Sequence, residues 1–239
     1  MPILRKALKK IIPPPVDVRH SEYSMLFSAD DDKGKPSNRL LDIAMESTKY
    51  AMGVNMDDIA ERTKQGYFLN VWPGEHYKLL AGVVNTLKPK LVIEIGTEKG
   101  LSALCIKKYL PSQSKIVTFD IISWKEYPGG SYLNEKDFAD GSFAQYTDDL
   151  STKEGLQKHA ELLKNADLIF VDAAKDGTQE QRFIDNFKTI QFATPPIVVF
   201  DDIRLWNMLK IWRNIPLLKL DITSFGHWSG TGLVEWQNS

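Results

Sequence analysis

Three aspartates carry the most distinctive chemistry in this 239-residue chain. Asp172 closes the apolar stretch of residues 167–172, and Asp201 and Asp202 close the one that begins at Ile197. If the two stretches are neighbouring parallel strands, about 4.8 Å apart, their three carboxylates converge on one edge of a sheet. Uncompensated, they repel one another, and a hard divalent cation with oxygen ligands, Mg²⁺ or a similar ion, relieves that repulsion. A plainer role is also open to them, with Asp202 capping a helix that begins near Ile203 and Asp172 opening a turn.

The second group is the segment Glu94-Ile95-Gly96-Thr97-Glu98-Lys99-Gly100-Leu101-Ser102, which follows an apolar run and leads into helical sequence. A turn of this kind offers a nucleotide-like ligand a tight glycine bend and the amides of a helix N-terminus. Dinucleotide sites need glycine where Glu98 stands, because the backbone there must approach a pyrophosphate, and a carboxylate repels that group. S-adenosylmethionine has no phosphate and carries an ammonium and a sulfonium, so it suits an acidic turn with Glu94 beneath it. Glu94, Gly96, Thr97, Gly100 and Ser102 are therefore the expected cofactor contacts, with Asp172 bordering both cofactor and metal. Asp120 ends the next strand 24 residues after Gly96, near the spacing at which a carboxylate accepts from ribose hydroxyls; an ordinary strand-end turn is the alternative. Asp148 and Asp149 are placed to meet the adenine amine or, equally, to begin a helix.

Elements must bring these residues together. Strand-like runs at 91–95, 115–120, 143–147, 167–172 and 197–200 alternate with helical patterns at 74–87, 101–109, 153–164 and 179–189, the signature of a doubly wound parallel sheet. The last two runs, 217–225 and 233–237, have no helix between them and should pair as an antiparallel hairpin. The expected fold is thus α/β, a Rossmann-like, mostly parallel seven-stranded sheet with a C-terminal antiparallel hairpin. Residues 73–239 would form this S-adenosylmethionine-binding domain, and residues 1–72 an extension and helical cap, with helices at 40–52 and, after Asn55 as N-cap, at 56–63. The hairpin loop returns His227 and Trp228 to the same end of the sheet as the aspartates, where they could line an acceptor pocket, with His227 as an alternative base. The long segment 123–143, with Trp124, Tyr127, Tyr132 and Phe138, could add a second wall. His76 follows the helix start at Gly74 and could reach the cofactor, although a solvated first-turn residue is the plainer reading.

With Glu94-x-Gly96-x-x-x-Gly100-x-Ser102, Val171-Asp172-Ala173-Ala174-Lys175-Asp176 and Phe200-Asp201-Asp202 in this order, the chain resembles the class I methyltransferases. More narrowly it is similar to the metal-dependent small-molecule O-methyltransferases of the catechol O-methyltransferase type, from about Pro73 to Asp202. The resemblance implies S-adenosylmethionine as methyl donor, a divalent metal on Asp172, Asp201 and Asp202, and Lys175 as the catalytic lysine. A lysine serves as base only when its pKa is depressed. The acceptor implied is a hydroxyl of a small molecule such as a diol, sugar or natural product, which the first seventy residues and the hairpin, where the likeness fades, leave unspecified. Rival readings are a metal-independent N- or carboxyl-methyltransferase, a nonenzymatic adenosyl-ligand-binding protein and, against the glycine pattern, a nicotinamide oxidoreductase.

Bulk properties narrow the partners. Thirty Lys and Arg balance 31 Asp and Glu, for a net charge of −1, so no global field holds nucleic acid. No apolar stretch approaches the roughly 20 residues that cross a bilayer, and a cytoplasmic protein is expected. The single cysteine, Cys105, is expected as a buried apolar residue. The basic, amphipathic residues 1–12, stopped by Pro13-Pro14-Pro15, read as a solvated terminus or a docking helix. Leu40, Leu41 and Ile43 of the cap could form a homo-oligomer contact.

Overall fold

The computed structural model describes residues 34–71 and 76–238. The basic segment 1–12 with its proline stop and the helix start expected at Gly74 lie outside the described residues. The elements run α1 (Asn38–Ala51), α2 (Asp57–Thr63), α3 (Gly66–Asn70), α4 (Tyr77–Leu87), β1 (Leu91–Ile95), α5 (Leu101–Tyr109), β2 (Lys115–Phe119), α6 (Glu135–Phe138) and β3 (Phe143–Tyr146). They continue with α7 (Lys153–Lys158), α8 (Ala160–Leu163), β4 (Leu168–Val171), α9 (Gln179–Phe187), β5 (Ile197–Asp201), α10 (Met208–Asn214), β6 (Leu218–Asp221) and β7 (Thr231–Glu235).

The strands form one seven-stranded sheet in the order β3-β2-β1-β4-β5-β7-β6. The first five are parallel, and β7 runs antiparallel between β5 and β6. This is the expected Rossmann-like, mostly parallel seven-stranded architecture, and the last two strands pair antiparallel with no α-helix between them. The central strands are continuously buried, as a parallel sheet covered on both faces requires. Helix α1 begins where the Ser37 hydroxyl accepts the Leu40 amide, a side-chain N-cap. Its apolar stripe packs on α4, so Leu40 and Ile43 are core residues and of the expected contact trio only Leu41 is exposed. At α2 the cap position falls on Met56, while Asn55 Oδ1 accepts the Asp57 amide from one residue earlier. The single helix expected at 153–164 is broken at His159 into α7 and α8.

Ahead of α1 the chain runs along the outer edge of β6, where the Lys219 amide donates to the Lys35 carbonyl at 3.1 Å. The Lys219 side chain is buried beside it, and its ammonium meets the last carbonyls of α10, at Trp212 and Arg213. Cationic groups at a helix C-terminus are favourable. Cys105 is buried in α5, and burial pushes its thiol pKa well up. No helix among the described residues is long and apolar enough to cross a membrane.

Two positions make the packing testable. A Cβ at Gly82 of α4 would stand 2.1 Å from the Ser47 carbonyl oxygen of α1, so Gly82→Ala must force the two helices apart. Such overpacking should lower unfolding free energy by about 2 kcal/mol in denaturant titration; an unchanged midpoint would contradict the close approach. Glu94 is fully buried in β1. Burial pushes its pKa up to about 7, against partial opposition from the Ser102 and Thr118 hydroxyls. A raised carboxyl pKa means that the folded protein holds the proton more tightly than the unfolded chain. The resulting stability is full below the ordinary glutamate pKa and is lost as pH rises through about 7. Glu94→Gln should remove that loss, about 3 kcal/mol between pH 4.5 and 8 in paired denaturation curves.

Candidate active site

The sheet places its functional side chains where parallel strands end. Gly96 follows β1 with φ +98°, and a Cβ there would lie 1.8 Å from the Asp172 carbonyl oxygen at the end of β4. Only glycine allows β1 and β4 to finish that close together. A cavity of about 290 Å³ opens above this junction, lined by Gly96, Glu98, Asp120, Asp148, Asp149 and Asp172, with Phe119, Ile121, Leu150 and Phe183 as apolar walls. Five of the expected cofactor residues, Gly96, Asp120, Asp148, Asp149 and Asp172, thus border one space.

The other four lie behind it. Glu94 is buried under the turn, Thr97 bonds through its hydroxyl to Thr118 at 2.7 Å, and Ser102 is buried in α5. Gly100 is needed because Leu133 packs where its Cβ would be. Asp120 binds the turn directly: its Oδ2 accepts the amides of Thr97 and Glu98 at 3.0 and 2.9 Å, and its Oδ1 accepts that of Ile122 at 3.0 Å. The carboxylate thereby fixes the shape of the glycine turn and shares its amides with whatever ligand the turn receives. Asp148 is held by Lys158 at 2.9 Å and by His159 Nε2 at 2.8 Å. Asp149 accepts the Ser151 amide at 2.8 Å, a local turn.

At the neighbouring corner, one ligand oxygen from each of Asp172, Asp201 and Asp202 lies within 4.8 Å of the others. Lys175 stands among them. Its Nζ contacts Asp172 Oδ1 and lies 3.4 Å from Asp202 Oδ2 and 4.0 Å from Asp201 Oδ2. The loop carrying it is pinned from α9, where buried Glu180 accepts the amides of Lys175 at 2.6 Å and Gly177 at 2.9 Å. Burial alone would lower the lysine pKa, but the three carboxylates outweigh it and move the pKa up. A lysine base needs a depressed pKa, and with the three carboxylates uncompensated the shift runs the other way.

His227 reaches the same corner from the β6–β7 loop, with Nδ1 3.1 Å from Asp201 Oδ1 and 3.2 Å from Asp202 Oδ1. The Ser229 hydroxyl bonds to Asp202 and lies 3.0 Å from His227 Nδ1. His76, read from the sequence as solvated, is buried at the start of α4, with Nδ1 3.3 Å from Asp201 Oδ1 and its ring 5.3 Å from that of His227. Neither His76 nitrogen has a hydrogen bond of good geometry, so the contact with Asp201 is chiefly ionic. Burial opposes protonation, yet Asp201 carries the His76 pKa upward. Asp201 is itself buried, and His76, His227 and Lys175 hold it far below the usual carboxylate range against that burial.

Ser229, Glu180 and His159 are the site residues that sequence reasoning missed, and His76 is the one it set aside as solvated; each acts through a partner distant in sequence or through a loop, and none belongs to a local motif. The aromatic segment expected as a second wall divides. Trp124 stacks on Phe138 at 5.3 Å and Phe138 on Phe143 at 4.6 Å, and both residues, with Tyr132, pack on the hydrophobic core. Tyr127 faces the cofactor side, its phenol pKa raised by burial and by the charges of Glu98 and Asp120.

Similarity to known proteins agrees with this architecture. No curated protein sequence matches the chain. Among solved structures it is similar to a methyltransferase from Geobacter sulfurreducens, at 14% identity and a TM-score of 0.52 over 77% of this chain and 92% of that one. It is also similar to a protein from Corynebacterium glutamicum, at 13% identity and a TM-score of 0.54 over 80% and 96% of the two chains. These likenesses concern the fold. The family model described as O-methyltransferase matches residues 45–207, well over half the chain and all of the strand ends that build the site. The chain belongs to this O-methyltransferase family, within the class I S-adenosylmethionine-dependent methyltransferases.

Proposed function

We propose that the protein moves the methyl group of S-adenosylmethionine to one hydroxyl of a small molecule that carries two neighbouring hydroxyls, with a divalent cation at Asp172, Asp201 and Asp202. The observation that carries this reading is the convergence of those three carboxylates, oxygens within 4.8 Å of one another, beside the cavity under the glycine turn. The donor set fits a hard divalent ion in kind, since all three ligands are carboxylate oxygens; Lys175, His76 and His227 stand against their charge when no ion does so. Such an ion, when bound, supplies Lewis acidity that lowers the pKa of a coordinated hydroxyl.

The chain's own residues do the rest. Asp120 holds the turn against which the adenosine half lies, and the aromatic and aliphatic walls of the cavity exclude water from it. Lys175 places a fixed positive charge where acceptor oxygen becomes anionic. His227 takes the acceptor proton, and Asp201 at its Nδ1 stabilises the resulting imidazolium. The acceptor oxygen then attacks the sulfonium methyl; the new O–C bond forms as the C–S bond breaks, and its electron pair stays on sulfur. Alignment supplies most of the rate, since the cofactor brings the reactive group.

A second reading draws on the place of Lys175 Nζ among the carboxylates: the lysine alone supplies the cationic charge, and no metal is needed. Chelation separates the two. Production of S-adenosylhomocysteine from a diol acceptor should fall about 100-fold after chelation, recover on adding Mg²⁺ or Mn²⁺, and fall as far in Asp202→Ala, whatever ion is added. Full activity after chelation would leave the lysine reading. Independently, Asp120→Ala should raise the Kd for S-adenosylmethionine about tenfold by calorimetry, through loss of the turn's shape.

A further inference from the structure

Seven non-glycine residues among those described have positive φ. Lys64 and Lys88 end helices, and Gln113 sits in a turn, positions where that conformation is ordinary. The other four, Glu98, Lys175, Asp202 and Trp206, all belong to the loops around the site just described. For a bulky residue this conformation is strained, and it persists only where the surroundings impose it. Trp206 has φ 44°, yet its indole is 73% exposed, so the strain is not repaid by burial.

A second exposed tryptophan lies on the loop bonded to this one. Trp228 is 71% exposed, and the two loops are joined by backbone bonds from Ile203 to Gly230 at 3.3 Å and from Arg204 to Ser229 at 2.9 Å. The Trp228 ring lies edge-on to His227 at 5.5 Å. Asn207, next to Trp206, donates to the Asp176 carbonyl at 2.9 Å and so ties this loop to the one that carries Lys175. Two exposed tryptophans therefore stand on cross-tied loops that border the carboxylates, of which Asp172 keeps 31% of its side-chain exposure and Asp202 13%.

That pairing of surfaces selects a chemistry. The negative face of an indole attracts polarised C–H groups, and carboxylates accept hydrogen bonds from several hydroxyls at once. A pyranose ring presents both, C–H groups on a face and hydroxyls around its rim. A flat aromatic diol presents two hydroxyls at one edge, and its apolar remainder is better served by an enclosed slot than by two solvent-facing rings. We infer that Trp206 and Trp228 form the platform for the acceptor and that the acceptor is a pyranoside, whose diol is presented at the corner where Asp172 and Asp202 meet. This rests on the O-methyl transfer reading above.

The test uses the full chain saturated with S-adenosylhomocysteine and a panel of methyl pyranosides of gluco, manno, galacto and rhamno configuration, with catechol as comparison. Saturation-transfer NMR should show ring C–H protons of at least one pyranoside in contact with the protein. Its Kd should rise about tenfold in Trp206→Ala and in Trp228→Ala and change less than about twofold in the corresponding Phe variants. S-adenosylmethionine affinity and the melting temperature, measured in the same variants, report separately on the cofactor site and on folding; failure of cofactor binding in the wild type would refute the underlying methyl-transfer reading. No pyranoside contact, contact indifferent to both tryptophans, or methylation of catechol alone would overturn the proposal. So would a dimer that dissociates when either tryptophan is replaced, since the indoles would then belong to a subunit contact.

Discussion

Asp201 is a carboxylate withdrawn from water at the end of a central strand, and the C-terminal edge of the sheet is organised around its compensation. Its partners arrive from three separate places: His76 from the start of α4, Lys175 from the β4–α9 loop and His227 from the β6–β7 loop. Removing one partner from a buried charge leaves the others unable to replace lost solvation. The same ionic contacts therefore fasten α4, the lysine loop and the terminal hairpin to the sheet. Chemistry and cohesion at this edge share one set of bonds.

That economy explains the supporting cast. Lys175 and Asp202 both sit in left-handed backbone, and each is held there from outside: Lys175 by Glu180 of α9, Asp202 by Ser229 and by the pairing of Ile203 with Gly230. A Cβ on Gly230 would press on Ile203 and Arg204, so the hairpin loop can approach the carboxylates only as glycine. The strand ends are rigid and the loops between them are cross-tied, an arrangement that holds polar groups in place before any ligand is present.

Much of this was legible in the sequence because it depends on short-range pattern. Continuous apolar runs separated by helical periods gave the parallel strands, and the absence of a helix between the last two runs gave the antiparallel pair. Since parallel strands end on the same side, aspartates at the ends of β4 and β5 had to be neighbours. The obscure features depend on long-range pairing. His76 looks like any first-turn histidine until α4 is laid against β5, and nothing in the spacing of Asp120 tells that its oxygens also accept the glycine turn's own amides. The aromatics between Trp124 and Phe138 resembled a pocket wall because their number is legible and their direction is not; three of the four faces turn to the core. His159 broke an otherwise continuous helical period, and its ring is drawn inward to Asp148, Phe119 and Tyr146.

The outer edge of β6 has a consequence for the company the molecule keeps. A sheet margin is a row of amides and carbonyls able to recruit another strand, and here the Lys35 carbonyl already engages the Lys219 amide. With Lys219's side chain turned inward to α10, the strand has no outward charge at that position to repel a second copy. The few residues ahead of α1 thus act as a selvedge, and a chain trimmed back to Asn38 would expose a margin on which strands of neighbouring molecules could add.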